Sequence, residues 1–199
     1  ITVSHNSIYN TPRAGINISE GTWGGHIIEY NDIFNTVKET GDHGTINSWG
    51  RDRFWHPNYN IMTQITNEKP ALILADVVEP IIIRHNRLRC DRGWDIDLDD
   101  GSSNYQIYNN LCLNGGIKLR EGFYRTVENN IIVNNTLHPH LWFKNSGDVF
   151  SRNIVMTKYK PISVRGWGRE VDYNIFADSL AYLAARQLGG DAHSIVTTV

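Results

Sequence analysis

Val127-Glu128-Asn129-Asn130-Ile131-Ile132 is the stretch on which the reading of the fold turns, because the chain repeats its pattern. An apolar residue is followed by two variable residues, an Asn, one variable residue and a second apolar residue. The same pattern recurs as Val3-Ser4-His5-Asn6-Ser7-Ile8, Ile28-Glu29-Tyr30-Asn31-Asp32-Ile33, Ile83-Arg84-His85-Asn86-Arg87-Leu88 and Ile107-Tyr108-Asn109-Asn110-Leu111-Cys112. It recurs again as Phe150-Ser151-Arg152-Asn153-Ile154-Val155 and Val171-Asp172-Tyr173-Asn174-Ile175-Phe176. The repeated residues are Asn6, Asn31, Asn86, Asn110, Asn130, Asn153 and Asn174, at intervals of 25, 55, 24, 20, 23 and 21. Short β-type segments recurring at a period of roughly 22 residues are the mark of a solenoid. The Leu-rich signature of a horseshoe repeat is missing, and the segments are too short and too rich in Asn and Gly for a helical repeat.

Stacked Asn side chains hydrogen-bond up and down such a stack. Asn also tolerates the left-handed backbone of a tight corner. The column therefore reads as structural, facing inward or into a corner, and the interval of 55 reads as two rungs plus a loop. A second strand family lies between the Asn segments. Ile16-Asn17-Ile18-Ser19-Glu20-Gly21, Ile96-Asp97-Leu98-Asp99-Asp100-Gly101 and Ile117-Lys118-Leu119-Arg120-Glu121-Gly122 align, with Thr45-Ile46-Asn47-Ser48-Trp49-Gly50 as the member after Asn31. Leu141-Trp142-Phe143-Lys144-Asn145 and Ile162-Ser163-Val164-Arg165-Gly166 continue the series. Strict alternation turns the apolar residues inward and exposes one column with Asn17, Asp97 and Lys118 and another with Ser19, Asp99, Arg120 and Lys144.

The expected fold is all-β: a right-handed parallel β-helix over residues 1–177 with a short C-terminal helix. An excursion is expected at about 52–79, where Arg53-Phe54-Trp55-His56-Pro57-Asn58-Tyr59-Asn60 mixes aromatics with turn residues. Residues 178–199 read as a cap or tail, with Asp178 or Ser179 capping a helix to about Leu188 and Gly189-Gly190 ending it. With 40% hydrophobic residues the chain is not disordered by composition. A net charge of −2 gives no basic field for nucleic acid, and no run of eighteen apolar residues suggests a membrane span. Cys90 and Cys112, about one repeat apart, read as buried thiols. The chain lacks an initiator Met and a signal peptide, and it reads as part of a longer protein.

All six Trp fall outside the Asn segments. The same parts of the repeat carry Asp42-His43, Asp95, Asp97, Asp99, Asp100, Glu121 and His138-Pro139-His140. Aromatics that stack on sugar rings, beside carboxylates, amides and imidazoles that take hydroxyls, suggest a cleft for an oligosaccharide, with no metal or cofactor required. The densest cluster is Trp94-Asp95-Ile96-Asp97-Leu98-Asp99-Asp100-Gly101. One reading is a surface charge ladder in which Lys118 and Arg120, one rung on, neutralise Asp97 and Asp99. The other is catalytic. From strand spacing alone, Cα separations from Glu121 are about 4.8 Å to Asp100, roughly 6 Å to Asp99 and roughly 11 Å to Asp97. Retaining glycosidases hold their carboxyls about 5–5.5 Å apart and inverting ones about 6.5–9.5 Å. Asp99 or Asp100 with Glu121 thus fits a retaining pair, with Lys118 and Arg120 keeping the aspartate ionised and like charge keeping Glu121 protonated.

Asp95-Ile96-Asp97-Leu98-Asp99-Asp100-Gly101-Ser102-Ser103-Asn104-Tyr105, followed by Gly116-Ile117-Lys118-Leu119-Arg120-Glu121-Gly122-Phe123, resembles the catalytic stretch of bacterial right-handed β-helix glycosidases. It is most similar to the β-xylosidases of glycoside hydrolase family 120, and Gly41-Asp42-His43-Gly44-Thr45-Ile46-Asn47-Ser48-Trp49-Gly50-Arg51-Asp52 is a weaker match. The resemblance covers residues 41–53 and 94–145 best. It implies retaining hydrolysis of β-xylosides by an Asp nucleophile and a Glu acid/base. Glu121 takes the second role. The nucleophile falls within Asp97-Leu98-Asp99, and the distances above favour Asp99. Asp42, His43 and Trp49 become sugar-binding candidates, with Asp97, Arg120 and His140 completing the contacts. The family also carries a sandwich domain for which these 199 residues leave no room. Two other classes compete. A polysaccharide lyase would use Lys118, Arg120 or Lys144 as base and Asp95, Asp97 and Asp99 on calcium. A non-catalytic coil would bind glycans only.

Overall fold

The computed structural model describes residues 1–19, 23–164 and 166–197, so Glu20, Gly21 and Arg165 of the expected strands lie outside the described residues. Alternating β-branched residues favour short extended segments, and these form three sheets in which every pairing is parallel. The first sheet aligns Thr2–Ser4, Ile27–Glu29, Ile81–Arg84, Tyr105–Tyr108, Arg125–Glu128, Val149–Ser151 and Glu170–Asp172. The second aligns Ser7–Tyr9, Asp32–Phe34, Arg87–Arg89, Leu111–Cys112, Ile131–Ile132, Ile154–Val155, Ile175–Phe176 and Ile195–Val196. The third aligns Ile16–Ile18, Gly44–Trp49, Trp94–Asp99, Ile117–Leu119 and Leu137–Pro139. The chain passes through the sheets in turn and returns one strand further along each. Among the described residues no helix is long and apolar enough to cross a membrane.

Each sheet contributes one apolar column to the interior. Ile28, Ile83, Ile107, Val127, Phe150 and Val171 are stacked in the first. Ile33, Leu88, Cys112, Ile132, Val155 and Phe176 are stacked in the second. Ile46, Ile96, Ile117 and Leu137 are stacked in the third. All are buried, at about 1.5–3 kcal/mol for each large aliphatic or aromatic side chain. Both cysteines are free and buried, as expected.

The seven Asn form one continuous ladder between the first and second sheets. The Oδ1 of Asn31, Asn86, Asn110, Asn130, Asn153 and Asn174 each accepts both the backbone N–H and the Nδ2 of the preceding Asn, at 2.9–3.3 Å. The second Nδ2 hydrogen reaches a backbone carbonyl one rung back, such as Ile107 for Asn130. Ser194 stands where an eighth Asn would: its Oγ accepts the Asn174 N–H at 2.7 Å. Two expectations are corrected here. The left-handed residue is not the Asn but the one before it: His5, Tyr30, His85, Asn109, Asn129, Arg152 and Tyr173, all at φ between 52° and 58°. An inward amide has to keep its own N–H and side chain on the ladder, so the corner falls one residue earlier and points its side chain out. The interval of 55 is one rung and an excursion, not two rungs, because Asn31 bonds Asn86 directly.

That excursion leaves after Trp49 and holds helix α1 (Tyr59–Glu68), capped by Asn58, and a 3-10 turn at Pro70–Leu72. It packs Phe54, Met62 and Ile73 against Phe123 and Phe143 in a second apolar cluster outside the coil. Helix α2 (Ser179–Gln187) is capped by Asp178 and buries Ala181 and Ala185 in the main core; Gly189, at φ 94°, makes the turn that follows. The tail then rejoins the second sheet through Ile195–Val196.

The third sheet differs from expectation in three ways. Its last strand is Leu137–Pro139, pairing Lys118 with His138, and not Leu141–Asn145. Leu141 turns left-handed at φ 55°, while Trp142 and Phe143 sink into the main core and the outer cluster, so Lys144 is exposed and off the column. Ile162–Val164 forms no strand, although Lys160 and Ile162 donate to Leu137 and Pro139. The outward column is exposed only at its start: Asn17 is exposed, while Asn47, Asp97, Lys118 and His138 are buried and stacked on one another.

Replacing Asn130 by Ala strands donors and acceptors on both neighbouring rungs and is expected to cost about 3 kcal/mol. Asn6→Ala, at the exposed end of the ladder, should cost under about 1 kcal/mol. Urea unfolding of the two variants checks the ranking, and equal losses would count against the ladder as the source of the register.

Candidate active site

Outward residues of the third sheet form two columns. Asn17, Asn47, Asp97, Lys118 and His138 are paired in register. Trp49 pairs with Asp99, and Arg120 and His140 carry that line onward through the hydrogen bonds from their N–H groups to Leu98 and Leu119. Stacking at the strand spacing puts a cation beside every acid. Lys118 Nζ lies 3.1 Å from Asp97 Oδ1, 3.5 Å from Asp99 Oδ1 and 3.7 Å from Asp42 Oδ1, with the Trp94 ring centroid at 4.1 Å. Arg120 reaches Asp99 at 3.0 Å, Asp100 at 3.1 Å and Glu121 Oε2 at 2.9 Å. Asp100 also receives Arg51, and Trp55 Nε1 donates to Glu121 Oε1 at 3.1 Å.

These surroundings separate the carboxyls. Burial pushes Asp97 up to about 7 against the pull of Lys118. Burial also acts on Asp99, but Lys118 and Arg120 together outweigh it and hold Asp99 below the usual carboxylate range. Glu121 is raised by burial, opposed by Arg120 and the Trp55 hydrogen bond. Desolvation, not repulsion by like charge, is therefore the main cause of its shift.

A groove of about 290 Å³ opens over the first end of these columns, lined by Arg13, Asp42, His43, Asn47, Trp49 and Asp99 among others. Arg13 lies over the Trp49 ring and donates to His43 Nε2 at 2.7 Å. Of the residues singled out in the sequence, Asp42, His43, Trp49 and Asp99 thus share one groove. Asp97 lies off its walls, bonded to Lys118. Arg120 stands beside Asp99 and is about a third exposed, at 35% of its side chain. Glu121 is beyond Arg120, buried, with the Trp55 indole hydrogen-bonded to it. His140 is half-buried one rung further, edge-on to Trp94 at 6.4 Å, its pKa lowered to about 4 by burial and by Lys118.

Asp95 departs from the acidic cluster altogether. It is fully buried and accepts the N–H groups of Cys90, Asn114, Gly115 and Gly116, so it holds a turn. This removes one of the three calcium ligands that the lyase reading would use. Carboxylate oxygens of Asp42, Asp97 and Asp99 do come within 4.8 Å of one another. The Lys118 ammonium already sits among them, so a metal ion would have to displace it. Trp55, Arg13 and Arg51 were not singled out in the sequence. Trp55 sits in the excursion, where no repeat register applies, and the arginines carry no spacing signal. Compared with protein-family models, with curated proteins and with solved structures, the chain finds no match.

Removing Lys118 leaves three acids facing one another. Lys118→Met is expected to destabilise the fold at pH 7 by about 3–5 kcal/mol. The deficit should grow from pH 6 to pH 8, because wild-type Asp97 ionises beside Lys118 at about 7 whereas without the lysine it stays protonated to higher pH. Urea titrations of both proteins at the two pH values check this; a deficit independent of pH would contradict the charge account.

Proposed function

We propose that this chain is a right-handed parallel β-helix that hydrolyses β-xylosides or related oligosaccharides with retention of configuration. The observation that carries the reading is the shared guanidinium. Asp99 and Glu121, from neighbouring rungs, both bind Arg120, and their acidities are displaced in opposite directions. A pair of carboxyls with separated acidities is what a nucleophile and a general acid require. Asp99 stands on the groove wall, ionised and oriented, to attack the anomeric carbon. Glu121 protonates the leaving oxygen and then activates water against the glycosyl-enzyme. Trp49 offers a ring for the C–H face of a sugar, Asp42 takes a hydroxyl, and His43 takes another once Arg13 releases its Nε2. On this reading Trp55 yields Glu121 Oε1 when sugar enters, so opening of the excursion belongs to the cycle.

The roles make distinct predictions. Asp99→Asn should abolish turnover, since no covalent intermediate forms. Glu121→Gln should cost about 10²–10⁴-fold on alkyl xylosides and spare the first step for leaving groups that need no proton. Product stereochemistry by NMR and trapping with a fluorinated xyloside decide the mechanism: inversion, or a label on Asp97 or Asp100, would overturn the assignment. An unsaturated product would mark a lyase, and glycan binding without turnover would mark a binding module.

Activity should also follow a bell in pH. It rises as Asp99 ionises, below the ordinary Asp value of 3.8, and falls as Glu121 loses its proton, above the ordinary Glu value of 4.5. The pH dependence of kcat/KM checks both limbs. Loss of the alkaline limb in Glu121→Gln is the expected signature, and an unchanged bell in that variant would remove Glu121 from its role.

A further inference from the structure

Arg125 and Asp148 are fully buried against each other on adjacent rungs. Arg125 Nη2 and Nε donate to Asp148 Oδ2 and Oδ1 at 2.6 and 2.8 Å, and Asp148 Oδ1 also accepts the Arg125 backbone N–H at 2.9 Å. Burying such a pair costs several kcal/mol per ion in desolvation, and apolar side chains of similar size often serve a core as well. The remaining nitrogen shows what the pair does. Arg125 Nη1 donates to the carbonyl of Arg120 at 2.7 Å and to that of Ser102 at 3.2 Å.

Those two carbonyls belong to the turns that carry the carboxyl pair. Ser102 follows Asp99-Asp100-Gly101 and ties back to the Asp99 carbonyl through its Oγ at 2.6 Å and its N–H at 3.0 Å. Arg120 immediately precedes Glu121. The close approach depends on Gly122, where a Cβ would meet Ser102 O at 2.3 Å and Arg125 Nη1 at 2.7 Å. One planar fork, fixed from behind by Asp148, thus joins the end of the Asp99 strand to the start of the Glu121 turn.

We infer that Arg125, held by Asp148, is a positioning residue that sets the separation of the Asp99 and Glu121 carboxyls. The inference rests on the hydrolase reading above. Arg125 acts through backbone and touches no reacting atom.

The double variant Arg125→Met/Asp148→Leu removes the ion pair while keeping apolar volume, which such cores tolerate. Its kcat on an aryl xyloside is expected to fall about tenfold or more, with KM nearly unchanged, because a small misplacement acts on the reacting geometry. Carboxyl ¹³C NMR should show the titration midpoints of Asp99 and Glu121 both shifted from the wild type. A folded variant with wild-type kcat and unmoved midpoints would overturn the inference. Should the double variant fail to fold, Arg125→Lys keeps the charge for Asp148 but lacks the planar fork, and is read by the same two measurements. If the wild-type protein hydrolyses no glycoside, the hydrolase reading falls, while the NMR midpoints still decide whether Arg125 governs the pair: unmoved midpoints in the variants reject it.

Discussion

The asparagine ladder is the constraint from which the rest follows. A parallel pairing that slips by one residue turns every side chain to the opposite face, and strands of two to six residues have little length with which to resist a slip. The ladder supplies that resistance. Each buried Asn satisfies the N–H and the amide of its neighbour, so a slip on one rung would leave several buried polar groups unpaired, at about 1–3 kcal/mol each. The left-handed corner before each Asn costs roughly 1–2 kcal/mol, less than the bonds it allows. Its outward side chains also stack, as His5, Tyr30 and His85 do at 5.0 and 4.8 Å.

With the register fixed on one side of the coil, the third sheet has no freedom left either. Its outward residues become columns one rung apart, and the order Asn47, Asp97, Lys118, His138 beside Trp49, Asp99, Arg120, His140 interleaves acids and bases. Interior charges at such spacing are costly alone and tolerable when paired. Burial and pairing together differentiate the acids. Asp97 is raised by burial in spite of Lys118; Asp99 faces two cations that outweigh its burial; Glu121 is raised by burial in spite of Arg120 and the Trp55 hydrogen bond. A charge ladder and a pair of differentiated carboxyls are therefore not alternatives: the ladder's cations lower Asp99 while burial raises Glu121.

How much of this was legible in the sequence depended on whether a residue belonged to the repeat. The Asn column, the place of Thr45–Gly50, the excursion and the Asp178 cap could be read because each has a local or periodic signal. The columns through Asp97, Asp99, Lys118 and Arg120 followed from alternation. The reading failed where alternation gives way to three-dimensional demand. Leu141-Trp142-Phe143 looks like the next strand with Leu141 and Phe143 inward, yet Leu141 turns left-handed, Trp142 enters the main core and Phe143 the outer cluster. Asp95 looks like the third acid of a row, but four backbone amides claim it. Burial of the outward column was illegible for the same reason: alternation tells which face a residue takes, not what packs on that face.

The excursion is the part with no repeat logic, and it is the part that completes the site. A bare coil would leave the Arg120 and Glu121 end of the columns open to water. The chain instead inserts a capped helix whose Met62 joins Phe54 and Ile73 in a cluster with Phe123 and Phe143. Closing so long a loop costs little more than closing a short one, since the entropy grows only with the logarithm of length. Each of those large side chains returns about 1.5–3 kcal/mol on burial. The same cluster that anchors the loop therefore holds Trp55 next to Phe54, over Glu121. Phe123, two residues beyond Glu121, belongs to that cluster, so any movement of the excursion is felt at the carboxyl it covers.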